Sequence, residues 1–174
     1  MKTLTVEGRL GDRHGENILI DETNGDTAHV DFNCLFDKGL TFDKPELVPF
    51  RLTHNMVDGF GVSGYEGPFR QSCEVVTRIL RLNEDTLMTV LEAFLYDPAV
   101  DMVMRRQVAK KNQGLPKAPD TPKDVLEGIR TKIQGLFPGE GVPLSVEGQV
   151  QELIRRAVVP EHLCAMYIGW MSFF

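Results

Sequence analysis

The sequence predicts a mainly α-helical chain that carries one small β-hairpin near its start. Three observations lead there. Ile18-Leu19-Ile20-Asp21 and Thr27-Ala28-His29-Val30-Asp31-Phe32 are strand-like runs on either side of Glu22-Thr23-Asn24-Gly25-Asp26, whose Asn-Gly pair is a strong hairpin signal. From Pro68 onward, apolar residues recur at spacings of three and four, the period of a helix face. From Ser145 to the end, two further amphipathic stretches are divided by Pro160 and finish in Trp170, Phe173 and Phe174.

The hairpin fixes an expected register. With Glu22 to Asp26 as the loop, Asp21 faces Thr27, Ile20 faces Ala28, Ile18 faces Val30 and Asn17 faces Asp31. The side-chain period of two then sets Ile18, Ile20, Ala28 and Val30 on one face. Asn17 and Asp31 share the other, at cross-strand neighbour distance. A loop of any other length slips the register by a residue and spoils that pairing.

Just before the first strand stands Gly11-Asp12-Arg13-His14-Gly15-Glu16-Asn17. Asp12 and Asn17 are five positions apart, the spacing of the catalytic Asp and the magnesium-holding Asn in the protein-kinase pattern H-R-D-x-x-x-x-N. His14 follows the Asp by two residues where that pattern has it two before, giving D-R-H-x-x-N. An Asn oxygen and an Asp carboxylate brought together suit Mg²⁺, which takes hard oxygen ligands and completes its shell with water and nucleotide phosphates. Phosphoryl transfer asks a protein mainly for positioning and charge neutralisation, so few groups are needed. Asp12 would accept or orient the proton of an attacking hydroxyl, and His14 would hydrogen-bond the transferring group or assist with the proton. The bland alternative is a hairpin with ordinary polar ends and an Asp12–Arg13 surface ion pair. Asn17 and Asp31 alone would favour it; the whole motif with its hairpin favours phosphoryl transfer.

These residues resemble the phosphatidylinositol 3-kinase-related protein kinases, and within them the ATR-type branch. The carrying segments are Leu10 to Leu19, His29 to Phe36 with its Asn33-Cys34-Leu35-Phe36, Pro45 to Met56, Gly64-Tyr65-Glu66-Gly67 and Asp85-Thr86-Leu87-Met88. Pro143 to Gly148 and Leu163 to Trp170 resemble a FATC segment. The resemblance implies the C-lobe of a PI3/PI4-kinase-like catalytic domain followed by a helical FATC tail. It implies a partial kinase domain over 1–113, a linker and helix over 114–141, and a FATC domain over 142–174. By the same resemblance Asp12 is the catalytic Asp with His14 its companion. Asn17 and Asp31 hold Mg²⁺ (or Mn²⁺) with ATP, and Asp31 to about Phe50 is the activation loop that receives protein substrate. Lipid kinases share D-R-H-x-x-N, but their activation loop tends to carry a basic cluster. Here Asp37, Asp43 and Glu46 offset Lys38 and Lys44, which favours protein. The implied activity is transfer of the ATP γ-phosphate to Ser/Thr-Gln sites in DNA-damage and replication checkpoint signalling. The implied setting is the nucleus, in a parent kinase that binds an ATR-interacting regulatory subunit, with the tail packed beside the activation loop in support of catalysis.

A kinase also needs a Gly-rich loop and a strand Lys over the phosphates. Only eleven residues precede Asp12, and no later segment supplies them, so the chain reads as the back half of a catalytic domain that is inactive alone. The alternative is a non-catalytic regulatory or scaffold fragment that binds a parent kinase or its partners through its helices and FATC tail.

The helical part reads in order. Phe69, Cys73, Val76 and Leu80 give a stripe over Pro68 to Arg81. Thr86 to Tyr96 follows with Asp85 as N-cap and Leu87, Val90, Leu91, Phe94 and Leu95 inward. A basic-ended helix is expected over Val100 to Lys111, a Pro-rich linker over Gly114 to Pro122, and a helix carrying Val125, Leu126, Ile129, Ile133 and Leu136. Ser145 caps a helix with Val146, Val150, Leu153, Ile154 and Ala157 on one side, and Leu163, Met166, Tyr167 and Trp170 form the last stripe. The formal charge of −6 over 174 residues gives no overall pull toward nucleic acid, and no direct nucleic-acid site is evident. Three irregularly spaced cysteines fit free thiols in a reducing compartment, with Cys164 expected to be buried. No secretory signal and no transmembrane run appears, and the expectation is a soluble intracellular chain.

Overall fold

The computed structural model describes residues 10–97, 121–139 and 141–170. The strands β1 (Ile18–Ile20) and β2 (Thr27–His29) pair antiparallel, with Ile18 opposite His29, Leu19 opposite Ala28 and Ile20 opposite Thr27. This is one residue away from the expected register, and the turn explains why. The Asp21 amide donates to the Asp26 carbonyl and the Gly25 amide to the Asp21 carbonyl, both at 2.8 Å, so the loop closes over Glu22 to Gly25 and excludes Asp26. Oδ1 of Asp21 accepts from both the amide and the hydroxyl of Thr23, while Gly25 takes φ +75°, which costs a glycine nothing. Ile18 and Ile20 therefore share a face with His29 and Thr27, and Ala28 turns to the other. Ile18, Thr27 and His29 line an apolar cavity of about 140 Å³ together with Phe69, Cys73 and Val150.

Among the described residues, the helices are α1 (His54–Gly59), α2 (Pro68–Leu82), α3 (Glu84–Leu95), α4 (Pro122–Ile133), α5 (Val146–Ala157) and α6 (Pro160–Cys164). Pro68 opens α2 in the first turn, where its missing N–H costs nothing. Along α2, Phe69 stacks on Phe60 with centroids 5.0 Å apart, and Thr77 is buried. The next helix starts earlier than expected, with Asn83 at the N-cap position and Glu84 and Asp85 in the first turn, where carboxylates favour the helix dipole. Its inward arc keeps Leu87, Leu91 and Leu95 of the expected set, with Leu87 and Leu91 half-buried against the cluster, and adds Met88. Met88 and Leu95 are buried against α4, whereas Val90 is 61% and Phe94 45% exposed. Val90 lies two residues past Met88, about 200° round the helix, so the two cannot face α4 together.

Thr121 and Pro122 do not end a linker; they open α4. Thr121 Oγ1 accepts the Asp124 amide and the Asp124 carboxylate accepts the Thr121 amide, a reciprocal capping box with Pro122 in the first turn. The helix expected over Val100 to Lys111 and most of the Pro-rich linker lie outside the described residues. In α5, Ser145 caps as expected, its hydroxyl oxygen accepting the Gly148 amide, and Val150, Ile154 and Ala157 are buried. Gln149 is buried beside them. Its Oε1 accepts from Arg81 of α2 at 2.6 Å and its Nε2 donates to the Lys132 carbonyl of α4 at 2.7 Å, so one polar side chain pins three helices. In the last stripe Leu163, Met166 and Trp170 are buried and Tyr167 is 54% exposed. Cys164, expected inside, is exposed; Cys34 is the buried thiol.

The apolar interior falls into three clusters. Met88, Leu95, Val125, Ile129 and Ile133 join α3 to α4 and take in Phe36. Val48 packs with Leu163, Met166 and Trp170 of the tail. Leu52 packs with Val150, Ile154 and Ala157 of α5, with Phe50, Phe60 and Phe69 around them. The segment after the hairpin thus contributes a side chain to every cluster. Leu95 is fully buried, so Leu95→Ala is expected to cost about 2–5 kcal/mol in urea denaturation, while Val90→Ala on the exposed arc stays within about 0.5 kcal/mol.

Candidate active site

Arg13, which the sequence left open as half of a surface ion pair, is only 3% exposed. Its guanidinium is spent on backbone carbonyls. Nε donates to Gly11 at 2.8 Å, Nη1 to Asn17 at 3.2 Å and Val30 at 2.7 Å, and Nη2 to Asp31 at 2.5 Å. Only Arg has a planar fork of five donors that can serve four carbonyls at once. Burial pulls its pKa below the ordinary range, and the charges of Asp12 and Asp31 push back. The result is a staple that holds the start of β1, the end of β2 and the Asp12 turn as one unit.

The register slip matters here. Asn17 stands opposite Val30, whose amide donates to the Asn17 carbonyl at 3.2 Å, so Asn17 and Asp31 are not the direct cross-strand pair expected. Arg13 supplies what the ladder does not, by gripping both backbones. Asp31 then leaves the strand at φ 57°, and its Oδ1 accepts the Asn33 amide at 2.9 Å. Asp12 also sits in the left-handed region, at φ 58°. Such backbone is uncommon outside glycine and gathers at functional turns.

The side chains of Asp12, His14 and Asn17 do come together. Asn17 Nδ2 donates to the Asp12 carbonyl at 2.8 Å and approaches His14 Nε2 at 3.1 Å. A carbonyl oxygen can only accept, which fixes the amide nitrogen on that side and leaves Oδ1 as the atom able to meet a cation. His14 Nε2 faces that amide and also lies 3.9 Å from an Asp12 carboxylate oxygen. Asn17 is nearly buried and Asp31 exposed. Among the described residues no three His, Cys, Asp or Glu side chains gather as a metal cage. An amide oxygen and a carboxylate are hard donors of the kind that suits a divalent ion arriving on nucleotide phosphates, and Arg13 ties the backbones that carry them.

Two further groups escaped the sequence reading. The Asp12 amide donates to Glu46 Oε1 at 2.6 Å. Arg51 lies with its guanidinium 5.3 Å from the Trp170 ring centroid, and its Nη1 reaches the carbonyls of Trp170 and Arg13, both at 3.4 Å. With Val48 in the tail's cluster, the tail is seated against the segment expected to be the activation loop. Lys38 donates to the Asn33 carbonyl at 2.6 Å at the surface, and Asp37 pairs with Lys132 of α4 at 2.8 Å. No local signal marked Glu46 or Arg51, because they meet their partners across 34 and 38 residues.

Comparison with known proteins now places the chain. The model of the family "Phosphatidylinositol 3- and 4-kinase" matches residues 9–104 and that of the FATC domain residues 143–174. The chain is 58% identical over 165 residues to "Protein kinase rad3" of Schizosaccharomyces pombe, which covers 95% of this chain and 7% of that protein. It is 50% identical over 165 residues to "Serine/threonine-protein kinase ATR" of Arabidopsis thaliana, covering 95% of this chain and 6% of that one. A solved structure described as "Complete CtTel1 dimer with C2 symmetry" superposes with a TM-score of 0.78 at 30% identity, over 99% of this chain and 6% of that chain. The chain thus spans less than a tenth of the length of the relatives it matches.

Two outcomes follow from the geometry. Arg13→Lys leaves several carbonyls without donors and is expected to destabilise the chain by about 2–5 kcal/mol, with amide exchange accelerating first at Val30 and Asp31. Burial, then the nearby Glu46 carboxylate, push the Cys34 thiol up to about 12. A thiol raised in this way stays protonated through the pH range where an ordinary one ionises. At pH 8 a disulfide reagent is therefore expected to modify Cys164 and spare Cys34 until the chain is unfolded.

Proposed function

The chain belongs to the phosphatidylinositol 3- and 4-kinase family, and from that premise we propose that it forms the catalytic-loop part of an ATR-type serine/threonine protein kinase. The observation that carries the proposal is the gathering of Asp12, His14, Asn17 and Asp31 around one buried Arg13, with a FATC-matching tail seated beside them. The reaction is transfer of the ATP γ-phosphate to Ser or Thr, with Ser/Thr-Gln sites as the substrate class and checkpoint signalling in the nucleus as its setting. The parent kinase would bind an ATR-interacting regulatory subunit. The chain works together with a Gly-rich loop and phosphate-binding Lys that its own residues do not include.

Asn17 Oδ1 and the Asp31 carboxylate would hold Mg²⁺, or Mn²⁺, with ATP; the ion when bound would neutralise phosphate oxygens. Asp12 takes the proton from the attacking hydroxyl as its oxygen bonds to phosphorus and ADP leaves. His14, held through Asn17, hydrogen-bonds the transferring phosphoryl oxygens. Asp31 to about Phe50 receives the peptide. Protein is favoured over an inositol lipid because the segment holds only Lys38 and Lys44 as cations beside Asp37, Asp43 and Glu46, which is no basic cluster. The two relatives, both named as protein kinases, point the same way.

The test places this chain in the Schizosaccharomyces pombe relative, in exchange for its matching segment, and supplies Mg·ATP with a Ser-Gln peptide, its Ser-Ala counterpart and phosphatidylinositol vesicles. Phosphate is expected on the Ser-Gln peptide, and Asp12→Asn or Asp31→Ala should lower turnover at least about a hundredfold without loss of folding. Labelled lipid, or undiminished turnover by a well-folded Asp31→Ala enzyme, would overturn the reading.

A further inference from the structure

Glu46 has no place in the roles assigned so far, yet its carboxylate lies directly beneath the catalytic motif. Oε1 accepts the Asp12 amide at 2.6 Å across a sequence separation of 34 residues. Two glycines make room for it. A Cβ on Gly11 would collide with Glu46 Oε2 and with Cys34 Sγ, and a Cβ on Gly39 would collide with the same carboxylate. The backbone of this cradle is fixed as well. The Glu46 amide donates to the Gly39 carbonyl at 3.0 Å and the Gly11 amide to the Cys34 carbonyl at 2.8 Å.

The purpose of the arrangement can be read from Asp12. Its φ of 58° lies in the left-handed region, which Asp tolerates better than most L-residues but which its surroundings must still favour over the ordinary basins. A hydrogen bond from its own amide to an ionised carboxylate is about twice as strong as a neutral one and acts at the strained residue itself. The φ of Asp12 in turn decides where its side chain points, and a small error in aiming a catalytic group is costly in rate.

We propose that Glu46 is a positioning residue for Asp12, through which the seating of the segment from Gly39 to Glu46 aims the proton acceptor. The inference rests on the kinase reading and adds a means of regulation to it. Any event that lifts this segment withdraws the carboxylate and lets Asp12 relax, while Asn17 and Asp31 stay clamped by Arg13. Chemistry is switched with little change in nucleotide binding.

The experiment uses the same exchanged enzyme and counts its ATP-binding sites by equilibrium binding, so that turnover is expressed per site. Glu46→Met, similar in length but without an acceptor, should lower kcat per site at least about tenfold while KM for ATP moves less than about threefold. Glu46→Gln keeps an acceptor and should retain more activity than Glu46→Met. Gly39→Ala, which crowds the carboxylate without removing it, should fall with Glu46→Met. In an Asp12→Asn background Glu46→Met should add no further loss, since the two act as one unit. Wild-type kcat per site in both Glu46→Met and Gly39→Ala overturns the inference. A loss confined to the number of sites, with kcat per site unchanged, also overturns it, because that is what a merely structural role would give. Full activity of the Asp12→Asn enzyme would instead refute the kinase reading itself.

Discussion

The structure around the site depends on one buried cation. Arg13 is almost fully enclosed and meets four carbonyls from both sides of the hairpin. Burying a guanidinium is costly unless every donor finds an acceptor, and that requirement is itself a specification. The chain cannot place Gly11, Asn17, Val30 and Asp31 anywhere else without leaving charge unsatisfied. A three-residue hairpin strand has little rigidity of its own, and its faces are largely exposed at Leu19, Ile20 and Val30. The clamp supplies the rigidity that apolar packing does not.

The second constraint is the segment from Asp31 to Leu52. It contains no regular element longer than the 3₁₀ turn at Lys38–Thr41, and yet it feeds all three apolar clusters, through Phe36, Val48 and Leu52. A loop that behaves as a strap across separate cores is ordered by burial and not by its own hydrogen-bond ladder. Between those anchors it presents its polar groups to the site, with Glu46 under Asp12 and Arg51 under the Arg13 carbonyl. The stability of the helical part and the geometry of the motif are thereby linked through one stretch of chain.

Much of this was legible in the sequence, for reasons that differ by element. The helices α2, α4 and α5 were visible because their apolar residues keep one period, and Pro68 and Ser145 mark the starts of α2 and α5. The start of α4 was not, because Thr121-Pro122 has the composition of a linker and only the contact with Asp124 makes it a cap. The inward arc of α3 was visible in part: Leu87, Leu91 and Leu95 pack toward α4 as their spacing implied, whereas Val90 and Phe94 face out and Met88 faces in, because the helix is apolar over most of its circumference and the position of α4 selects the arc. The hairpin was visible and its register was not, because Asp21 can either end a strand or cap a turn, and its bonds to Thr23 decide for the turn. Asp12, His14 and Asn17 were gathered as local spacing implied. Glu46 and Arg51 reach across 34 and 38 residues, and no local pattern encodes a partner at that distance.

The tail closes the argument, because it reaches the site by the same chemistry that holds the hairpin. Burial pulls the pKa of Arg51 down as it does that of Arg13, so its charge also needs compensation from its surroundings. Part of that comes from the Trp170 ring, whose π face attracts a cation most strongly where water is excluded, and part from the carbonyls of Trp170 and Arg13. Trp170 is held there by Val48, Leu163 and Met166. The FATC-matching end of the chain therefore stabilises a charge that touches the backbone of the Asp12–Asn17 motif. Withdrawing the tail would leave that charge half-buried without its ring, and would strip Val48, two residues from Glu46, of the apolar neighbours that anchor it.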